Sequence, residues 1–348
     1  MNVLVTGGAG YIGSVIVEAL LRRGHTVTVL DSLYKGHRAA VTAPAALVQI
    51  DLADREQVGQ AVAALAAGSE PAAVIHMAAD SLVGESMQRP TRYFRNNVIN
   101  SLNLAEAVVE AGVGLLVFSS TAAVYGQQKS DLPVKETASL NPENPYGQSK
   151  LMTEFMLRDA AAAYDFNYVA LRYFNVAGAD PHHRAGQSTS GATHLIKVAC
   201  EAALGKRDSV HVYGIDYPTH DGTGVRDYIH VSDLTDAHLK ALQHLRKDRG
   251  SLVANCGYGS GYSVLDVLNM VTRLHGHSFK IHMAPRRAGD SASVVADASL
   301  ARQVLDWKPR YDSLETIVQS SLDWELFLSN KGVDDLQSIH RALAAASF

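Results

Sequence analysis

The sequence predicts an α/β protein in which a doubly wound parallel sheet is followed by a smaller α/β region. Apolar strands alternate with amphipathic helical patterns through the first half of the chain, and a glycine-rich turn follows the first strand. Short apolar strands joined by helical crossovers form parallel sheets that are covered on both faces. Ligands bind such sheets beyond the carboxyl ends of the strands.

Hydrophobic periodicity and turn residues place the individual elements. Predicted strands lie near 2–6, 27–30, 47–50, 73–77, 114–119 and 168–172, and predicted helices lie at 11–23, 54–67, 91–111 and 146–164. Segment 178–192 is rich in Gly, Ser, Thr and His, which predicts a loop. After this loop we expect helices near 192–205, 232–246, 263–275, 313–330 and 333–346, with short strands near 210–213, 252–255 and 279–283.

The composition is that of a globular protein with a large core, since 47% of the 348 residues are hydrophobic. With 31 basic and 35 acidic residues the net charge is −4, so neither nucleic acid nor an anionic membrane is favoured as a partner. Cys200 and Cys256 are too few for a disulfide framework, and we expect buried thiols in a reducing compartment. We expect no export signal, no membrane span and no metal site.

The glycine turn Gly7-Gly8-Ala9-Gly10-Tyr11-Ile12-Gly13 lies between the first predicted strand and the first predicted helix. Glycines at this spacing let the backbone approach a pyrophosphate, which then lies at the positive end of the helix. Asp31 closes the second strand and is placed to bind the adenosine ribose hydroxyls. Its carboxylate would repel a 2′-phosphate and therefore favours NAD over NADP, although Arg38 a few residues later argues the other way.

The segment Asn144-Pro145-Tyr146-Gly147-Gln148-Ser149-Lys150 carries the strongest chemical signal. Proline fixes the start of a helix, and Tyr146 and Lys150, four residues apart, then project from one face. An adjacent ammonium and a cationic nicotinamide would both favour the phenolate, which makes Tyr146 a candidate general base. Thr121, at the end of the fifth strand, can offer a hydroxyl to the same substrate oxygen. By itself the Tyr/Lys spacing also fits an ordinary surface helix, and the glycine turn favours catalysis.

Together these motifs resemble the extended short-chain dehydrogenase/reductase superfamily and, within it, the UDP-glucose (UDP-galactose) 4-epimerase family. The resemblance covers residues 1 to about 330 and includes a highly specific run at 216–231. The motifs that carry it include His76-Met77-Ala78-Ala79, Val83-Gly84-Glu85-Ser86, Asn96-Asn97-Val98, Leu171-Arg172-Tyr173-Phe174-Asn175, Asp216-Tyr217-Pro218-Thr219, Gly224-Val225-Arg226-Asp227-Tyr228 and Ala284-Pro285-Arg286-Arg287-Ala288-Gly289-Asp290.

The resemblance implies a Rossmann-type fold, a retained NAD and inversion of a hydroxyl at C4 of a UDP-hexose. Tyr146 would take the C4-hydroxyl proton while the C4 hydride passes to NAD, and the resulting 4-keto sugar would turn over before both return. An NAD-binding domain would comprise residues 1–176 with about 230–255, and a UDP-sugar domain would comprise 177–229 and 256–348. A cytoplasmic homodimer is implied, with an interface of four helices from the stretches 91–111 and 146–164.

The resemblance also assigns site residues one by one. Catalysis falls to Tyr146, Lys150 and Thr121. NAD contacts are implied for Gly7, Gly10, Tyr11, Ile12, Gly13, Asp31, Asp51, Leu52, Asn96, Lys150 and Tyr173. Substrate contacts are implied for Thr121, Tyr146, Asn175, His194, Arg226, Arg287, Asp290 and Val294.

The chain departs from the family pattern at several positions. Ser81 stands where many relatives carry a lysine that touches the cofactor, and Thr193-His194 replaces an asparagine pair found in some members. The loop 186–191 lacks an acidic segment that many bacterial relatives have. Val294 aligns with a large tyrosine of hexose-restricted members, so we hypothesise that N-acetylhexosamine substrates are tolerated unless other residues fill the space.

Other activities fit the same fold. A dehydratase needs an acid and a base after the threonine, but Ala122-Ala123 stand there and cannot transfer protons. A 4-epimerase of UDP-pentoses or UDP-uronic acids remains open. A non-enzymatic sensor of dinucleotide also remains open, although it is not expected to keep both Tyr146 and Lys150.

Overall fold

The computed structural model describes residues 1–128, 133–189, 191–247, 250–287, 290–332 and 336. The strands are β1 (Asn2–Thr6), β2 (Thr26–Asp31), β3 (Ala46–Gln49), β4 (Ala72–His76), β5 (Leu115–Thr121), β6 (Asn167–Tyr173), β7 (Asn175–Ala177), β8 (Val210–Tyr213), β9 (Val225–His230), β10 (Leu252–Cys256), β11 (Gly261–Ser263), β12 (Ile281–Ala284) and β13 (Ser293–Val294). The helices are α1 (Tyr11–Arg22), α2 (Arg55–Ala66), α3 (Val83–Gln88), α4 (Pro90–Tyr93), α5 (Asn100–Glu110), α6 (Pro145–Ala163), α7 (Leu195–Ala203), α8 (Val231–Arg246), α9 (Val264–His275), α10 (Ser299–Val304) and α11 (Leu314–Lys331).

Within the described residues the main sheet has seven strands in the order β10-β6-β5-β4-β1-β2-β3. All neighbouring strands in it are parallel, with Val3 opposite Val27 on one side and opposite Ala73 on the other. The strand order reverses between β1 and β4, which makes the crevice above these two strands the expected place for a ligand. The predicted doubly wound parallel sheet is confirmed.

Apolar residues cover both faces of this sheet, as the continuous hydrophobic strands require. On one face, Ile16 and Leu20 of α1 and Leu242 of α8 belong to one buried cluster with the strands. On the other, Val58 of α2 and Leu104 of α5 belong to a second cluster. Each such fully buried aliphatic side chain contributes on the order of 1.5–3 kcal/mol. The sheet is therefore a rigid support for the loops that follow the carboxyl ends of its strands.

The second region is built from small sheets. β9 is central to one of them, because β7 and β13 pair with it in parallel and β11 pairs antiparallel. Asp227 of β9 is fully buried and accepts N–H bonds from Tyr258, Gly259 and Ala296 at 2.9–3.1 Å. β8 and β12 form a separate parallel pair.

Most of the predicted elements are present, with ends that differ by a few residues. The helix expected at 91–111 is divided into α4, a π-helical segment Phe94–Ile99, and α5. Sequence patterns missed the helices α3 and α10 and the strands β7, β9, β11 and β13, which are short or have too little alternation to identify. The helix expected at 333–346 lies outside the described residues, apart from Leu336. Across the described residues, no helix has both the length and the apolar character that crossing a membrane requires.

Candidate active site

The glycine turn is as tight as its sequence predicts. Gly7 has a φ of 68°, and a Cβ there would lie 2.7 Å from the backbone nitrogen of Ala78. A Cβ on Gly13 would lie 2.2 Å from the carbonyl oxygen of Gly7. At Gly10, by contrast, such a Cβ would meet one atom within 4 Å among the described residues beyond its chain neighbours, namely that same oxygen at 3.3 Å. Gly7 and Gly13 therefore close the turn, and Gly10 leaves open space beside the backbone.

Helix α1 begins at this turn with Gly10 as its N-cap, and no side chain caps it. The first N–H groups of any α-helix lack an intrahelical acceptor, so those of Tyr11, Ile12 and Gly13 are available to an anion. The side chain of Tyr11 points elsewhere, because its hydroxyl donates to the carbonyl oxygen of Gly178 at 2.6 Å. Tyr11 would thus contact a dinucleotide through its backbone N–H. The hydrogen bond of its hydroxyl connects the turn to Gly178 at the start of the second region.

Asp31 lies beside the glycine turn at the end of β2. One carboxylate oxygen accepts from the Ala9 amide at 3.0 Å, and the other accepts from the Leu33 amide at 2.8 Å. Burial raises the pKa of Asp31, and the two amide bonds oppose that rise. The remaining lone pairs suit ribose hydroxyls. Arg38 hydrogen-bonds Gln49 at 3.0 Å on the exposed surface, so it already has a partner of its own.

The residues expected near the adenine lie between β3 and α2, and the one expected near the pyrophosphate lies in the π-helical segment. Asp51 is exposed and accepts from the Ala53 amide at 2.9 Å, whereas Leu52 is buried. Asn96 lies in the π-helical segment, and its Oδ1 accepts from Asn100 at 3.1 Å. Ser81, where the family pattern has a lysine, is exposed.

Thr121 and Tyr146 meet at the carboxyl end of β5. Helix α6 begins with Pro145 after the Asn144 N-cap, whose side chain accepts from the Gly147 amide at 2.9 Å. This start buries Tyr146, which is only 7% exposed. The Thr121 side chain is near enough to Tyr146 to oppose the rise in the pKa of its hydroxyl.

Lys150 lies one turn further along α6 and is buried. Its Nζ donates to the carbonyl oxygen of Ser119 at 2.7 Å and lies 4.8 Å from the centroid of the Phe118 ring. Burial lowers the pKa of Lys150 to about 7, and the nearby Glu154 carboxylate opposes this.

The protein alone does not favour the Tyr146 phenolate, contrary to the effect expected from Lys150. Burial raises the pKa of Tyr146, and the nearby Thr121 side chain only reduces that rise. Desolvation of the buried hydroxyl is the main cause, and Lys150, whose Nζ is held by Ser119, is only about half protonated at pH 7. The positive charge of a bound ligand would favour the phenolate.

Two further groups at this edge, Ser119 and His76, were not assigned a role from the sequence. Ser119 is hydrogen-bonded by the hydroxyl of Tyr173, which is an expected cofactor residue. His76 is bound at 2.7 Å by Thr6 and at 2.8 Å by Ser101. Burial lowers the pKa of His76 to about 3, so this histidine is neutral. The partners of His76 and Ser119 become visible only in the fold.

Behind Lys150 lies a buried polar network that sequence analysis missed. Glu154 of α6 pairs with Arg172 of β6, with guanidinium–carboxylate distances of 2.6 and 3.0 Å. Ser120 donates to the same carboxylate, and Arg172 donates to the Tyr125 hydroxyl at 3.0 Å. The network joins α6 to β5 and β6 and so fixes the helix that carries Tyr146 and Lys150.

The residues expected to bind the nucleotide of the substrate fall into two groups. Arg287 pairs with Asp290 at 2.8 Å, and its guanidinium lies 4.7 Å from the centroid of the Tyr213 ring. Arg226 on β9 is the register partner of Val294 on β13. Two predicted ligands, Arg287 and Asp290, thus contact each other, and a third predicted ligand, Arg226, lies next to the residue expected to set sugar specificity.

Asn175 and His194 line one cavity of about 30 Å³ between β7, α7 and α11. His194 is the N-cap residue of α7, and its Nδ1 lies 2.9 Å from the Nε2 of Gln187. The backbone oxygen of Gln187 accepts from the Trp324 indole at 3.0 Å, which fixes the loop before α7. Gln187 lies in the variable loop and could not be singled out from the sequence.

A group of potential metal ligands, His220, Asp221 and Asp266, is found at the start of α9. Asp221 accepts from Thr223 and Ser263, and Asp266 accepts from the Ser263 amide. The carboxylates are thus engaged in capping the helix.

The fold and this edge define an enzyme that uses a dinucleotide, and the chain belongs to the NAD dependent epimerase/dehydratase family, whose model matches residues 3–257. Among its relatives is a UDP-glucose 4-epimerase of Azospirillum brasilense, 50% identical over 324 residues, which are 93% of this chain and 92% of the relative. The structure of UDP-glucose 4-epimerase from Brucella ovis in complex with NAD is 42% identical, with a TM-score of 0.88 over 92% of this chain and 97% of that one. The UDP-Glc/GlcNAc 4-epimerase from Campylobacter jejuni is 44% identical, with a TM-score of 0.81 over 94% and 99% of the two chains.

Lys150→Met is expected to stabilise the NAD-free protein at pH 7. The pKa of Lys150 is about 7 in the folded protein and about 10.4 in an unfolded chain, so its burial costs free energy below pH 10 and costs most at and below pH 7. After loss of the Ser119 hydrogen bond, a net gain of about 1–3 kcal/mol is expected at pH 7 and a smaller gain at pH 9.5. Urea unfolding at both pH values measures it, with exposed Lys308→Met as the control; a destabilised Lys150→Met at pH 7 would contradict the argument.

Proposed function

We propose that this chain is an NAD-dependent 4-epimerase of UDP-hexoses. The observation that carries this proposal is the meeting of Thr121, Tyr146 and Lys150 at the same sheet edge as the glycine turn. Relatives that are 42–50% identical over more than nine-tenths of the chain are named UDP-glucose 4-epimerase. These names favour a UDP-hexose over a UDP-pentose or UDP-uronic acid as the main substrate, and an enzyme over a sensor.

The residues at the glycine turn fit NAD. The open space beside Gly10, the free N–H groups of α1 and the remaining acceptor sites of Asp31 match a pyrophosphate and a ribose diol. Asp51 and Leu52 would lie near the adenine, Asn96 near the pyrophosphate, and Lys150 and Tyr173 at the nicotinamide end. When bound, NAD supplies the acceptor and then the donor of the hydride at C4 of the sugar.

In this mechanism Tyr146 holds and moves one proton. Its phenolic oxygen takes the proton from the C4 hydroxyl and later returns it to the C4 oxygen, after the 4-keto sugar has turned its opposite face. Thr121 orients the same sugar oxygen through its hydroxyl, close to Tyr146. Lys150, held by Ser119, lies in position to bind a ribose hydroxyl, and its charge adds to the positive potential that favours the phenolate.

The nucleotide part of the substrate must stay bound while the sugar turns. Arg226 and Arg287 offer forked donors to the two phosphates, and Asp290 offers a carboxylate to the uridine ribose. Because Arg287 and Asp290 pair with each other in the free protein, substrate binding would exchange part of that contact for new ones. Asn175 and His194, which line a common cavity, would contact phosphate and sugar.

We assign NAD binding to a domain of residues 1–176 with about 230–255, and UDP-sugar binding to residues 177–229 and 256–348. The strand pairing supports this division. β10 returns to the main sheet beside β6, whereas β7, β9, β11 and β13 form a sheet of their own.

Homodimer formation is supported by an apolar patch on two helices. Ile99 and Leu102, at the start of α5, are 51% and 38% exposed, and Met152 and Phe155 of α6 are 49% and 42% exposed. Their spacing of three residues places each pair on one helix face. Exposed apolar side chains gathered in this way are typical of an interface. We place the enzyme in the cytoplasm, where the buried free thiols of Cys200 and Cys256 would stay reduced.

Val294 supports tolerance of N-acetylated sugars. As the register partner of Arg226, it lies beside a proposed phosphate ligand, where a short side chain leaves room for an acetamido group. A structural relative is named for both UDP-Glc and GlcNAc.

Tyr146→Phe is expected to abolish turnover while NAD stays bound, because it removes the atom that carries the proton. Wild-type protein incubated separately with UDP-glucose, UDP-galactose, UDP-GlcNAc and UDP-xylose, without added NAD, should interconvert the 4-epimers. The variant should lose about 10²-fold to 10⁴-fold in kcat. Tyr164→Phe, at the exposed end of α6, is the control. Wild-type activity in Tyr146→Phe would refute the base assignment, and NAD-loaded wild-type protein inactive on every UDP-sugar would favour the sensor.

Val294→Tyr is expected to reduce kcat/KM for UDP-GalNAc at least about ten-fold and to change that for UDP-galactose little, through steric exclusion. Val294→Ala keeps the space and should keep both activities. Steady-state kinetics on both substrates measure the ratio. If the wild-type enzyme turns over UDP-galactose but no UDP-GalNAc, the tolerance hypothesis is wrong.

Replacing Met152 and Phe155 together by Glu is expected to give a monomer, because four charges at a two-fold apolar interface cannot be desolvated cheaply. Sedimentation velocity compares the double variant with wild-type protein. Tyr164→Glu, which adds a charge at an exposed position just beyond the C-terminal end of α6, should remain dimeric. A monomeric wild-type protein, or a dimeric double variant, would contradict this interface.

A further inference from the structure

Two side chains contact each other across the mouth of the crevice above the glycine turn. The guanidinium carbon of Arg92 lies 4.9 Å from the centroid of the Tyr34 ring. Tyr34 lies three residues beyond the end of β2, and Arg92 belongs to α4, which follows β4.

The topology of the sheet shows what this contact covers. β2 and β4 are the two neighbours of β1, so the turn that follows β1 lies between the loops that follow β2 and β4. Asp31 binds the Ala9 amide from the β2 side, and Ala78 packs against Gly7 from the β4 side. A contact between Tyr34 and Arg92 therefore bridges the two walls of the crevice in which the dinucleotide is proposed to lie.

The Arg92 side of the bridge is firmly held. Its Nε and Nη2 donate to the two carboxylate oxygens of Asp80 at 2.9 and 3.2 Å, and its Nη1 lies 3.5 Å from Glu85. Asp80 is buried, and its backbone is bound at both N–H and C=O by the Asn97 side chain at 2.8 and 2.9 Å. Asn97 in turn donates to Ser149 of α6 at 3.0 Å. Arg92 is thus fixed to the helix that carries Tyr146 and Lys150.

The loop that carries Tyr34 is hydrogen-bonded to the glycine turn and to Asp31 at its two ends, but its middle is held only weakly. The Leu33 amide donates to Asp31 at 2.8 Å, and the His37 amide donates to the Ala9 carbonyl at 3.0 Å. Between these anchors Tyr34 is 63% exposed, and its backbone makes only a local bond of 3.4 Å to Ser32. The Arg92 contact is the main link from this part of the loop to the opposite wall. Breaking it would open the crevice without disturbing the core.

We propose that Tyr34 and Arg92 form a clasp over the dinucleotide crevice that slows release of NAD. This proposal deepens the proposed function, which requires the same NAD to be kept through every cycle. It assigns retention to two residues of this chain that lie outside the glycine turn. A cation over an exposed ring is a weak contact, but it must break before the loop can swing away from the ligand.

The test measures exchange of bound NAD directly. NAD-loaded protein is mixed with an excess of isotopically labelled NAD, and the bound label is followed by mass spectrometry after rapid gel filtration. Tyr34→Ala and Arg92→Met are each expected to exchange at least about five-fold faster than wild type. Tyr34→Phe keeps the ring that Arg92 contacts, so it should exchange close to the wild-type rate. The double variant Tyr34→Ala/Arg92→Met should exchange no faster than the faster single variant, because each substitution already removes the same contact between the two side chains.

Lys35→Ala is the matched control, since Lys35 is adjacent to Tyr34 in the same loop and its Nζ lies 5.3 Å from the same ring centroid. It should exchange at the wild-type rate. The KM for UDP-galactose should be unchanged in Tyr34→Ala, because the clasp lies on the cofactor side. If Arg92→Met fails to fold because Asp80 is left unpaired, the exposed Tyr34→Ala decides the outcome.

Exchange by Tyr34→Ala at the wild-type rate would overturn the clasp, and so would additive acceleration in the double variant. These outcomes are separate from the fate of the proposed function. NAD exchange is measured without a sugar, so a protein inactive on all UDP-sugars would refute the epimerase proposal and still report on the clasp.

Discussion

The hydrogen bond from Lys150 to the Ser119 carbonyl is the contact on which the geometry of the site depends. It joins helix α6 to the end of β5, so that Thr121 and Tyr146 address one point at the edge of the sheet. The Glu154–Arg172 pair and the Asn97–Ser149 bond hold the same helix against β6 and against the π-helical segment. Buried polar networks of this kind are rigid when all members are satisfied. The helix therefore cannot shift without breaking several buried bonds at once.

Burial has opposite effects on the pKa values of Tyr146 and Lys150. It raises the pKa of Tyr146 and lowers that of Lys150 to about 7, because each group is pushed towards its neutral form. His76 is neutral for the same reason. The site by itself is thus poor in charge. A proton acceptor would be created mainly when a positively charged ligand enters, which couples the chemistry to occupation of the cofactor crevice. This coupling suits an enzyme that keeps its cofactor bound.

The proposed cofactor side and the proposed substrate side of the site are built differently. An epimerase must keep its cofactor bound, whereas its substrate is exchanged and the sugar must turn. The cofactor side consists of backbone amides, a buried Asp31 and tightly packed glycines on a sheet that is covered on both faces. The substrate side consists of more exposed side chains, such as Arg287, which is paired only with Asp290 and stacked on Tyr213. Rigid amides suit a ligand that stays. Long side chains that can change partners suit a substrate that is exchanged and whose sugar must turn.

The sequence by itself determined the sheet, most of its helices and the glycine turn. These features depend on local rules, namely apolar periodicity and the need of Gly7 and Gly13 for space that no side chain may occupy. It also identified Tyr146, Lys150 and Thr121 as candidate site residues, because a four-residue spacing on a helix and a position at the end of a strand can be recognised from the local sequence. Only the tertiary structure decided the direction of the Tyr146 pKa, the Glu154–Arg172 network and the pairing of Arg287 with Asp290. Tertiary packing also produced the Tyr34–Arg92 contact, which joins residues 58 positions apart in the chain. Such contacts depend on which loops the sheet order brings together and on how deeply each group is buried, and neither quantity is present in a local pattern.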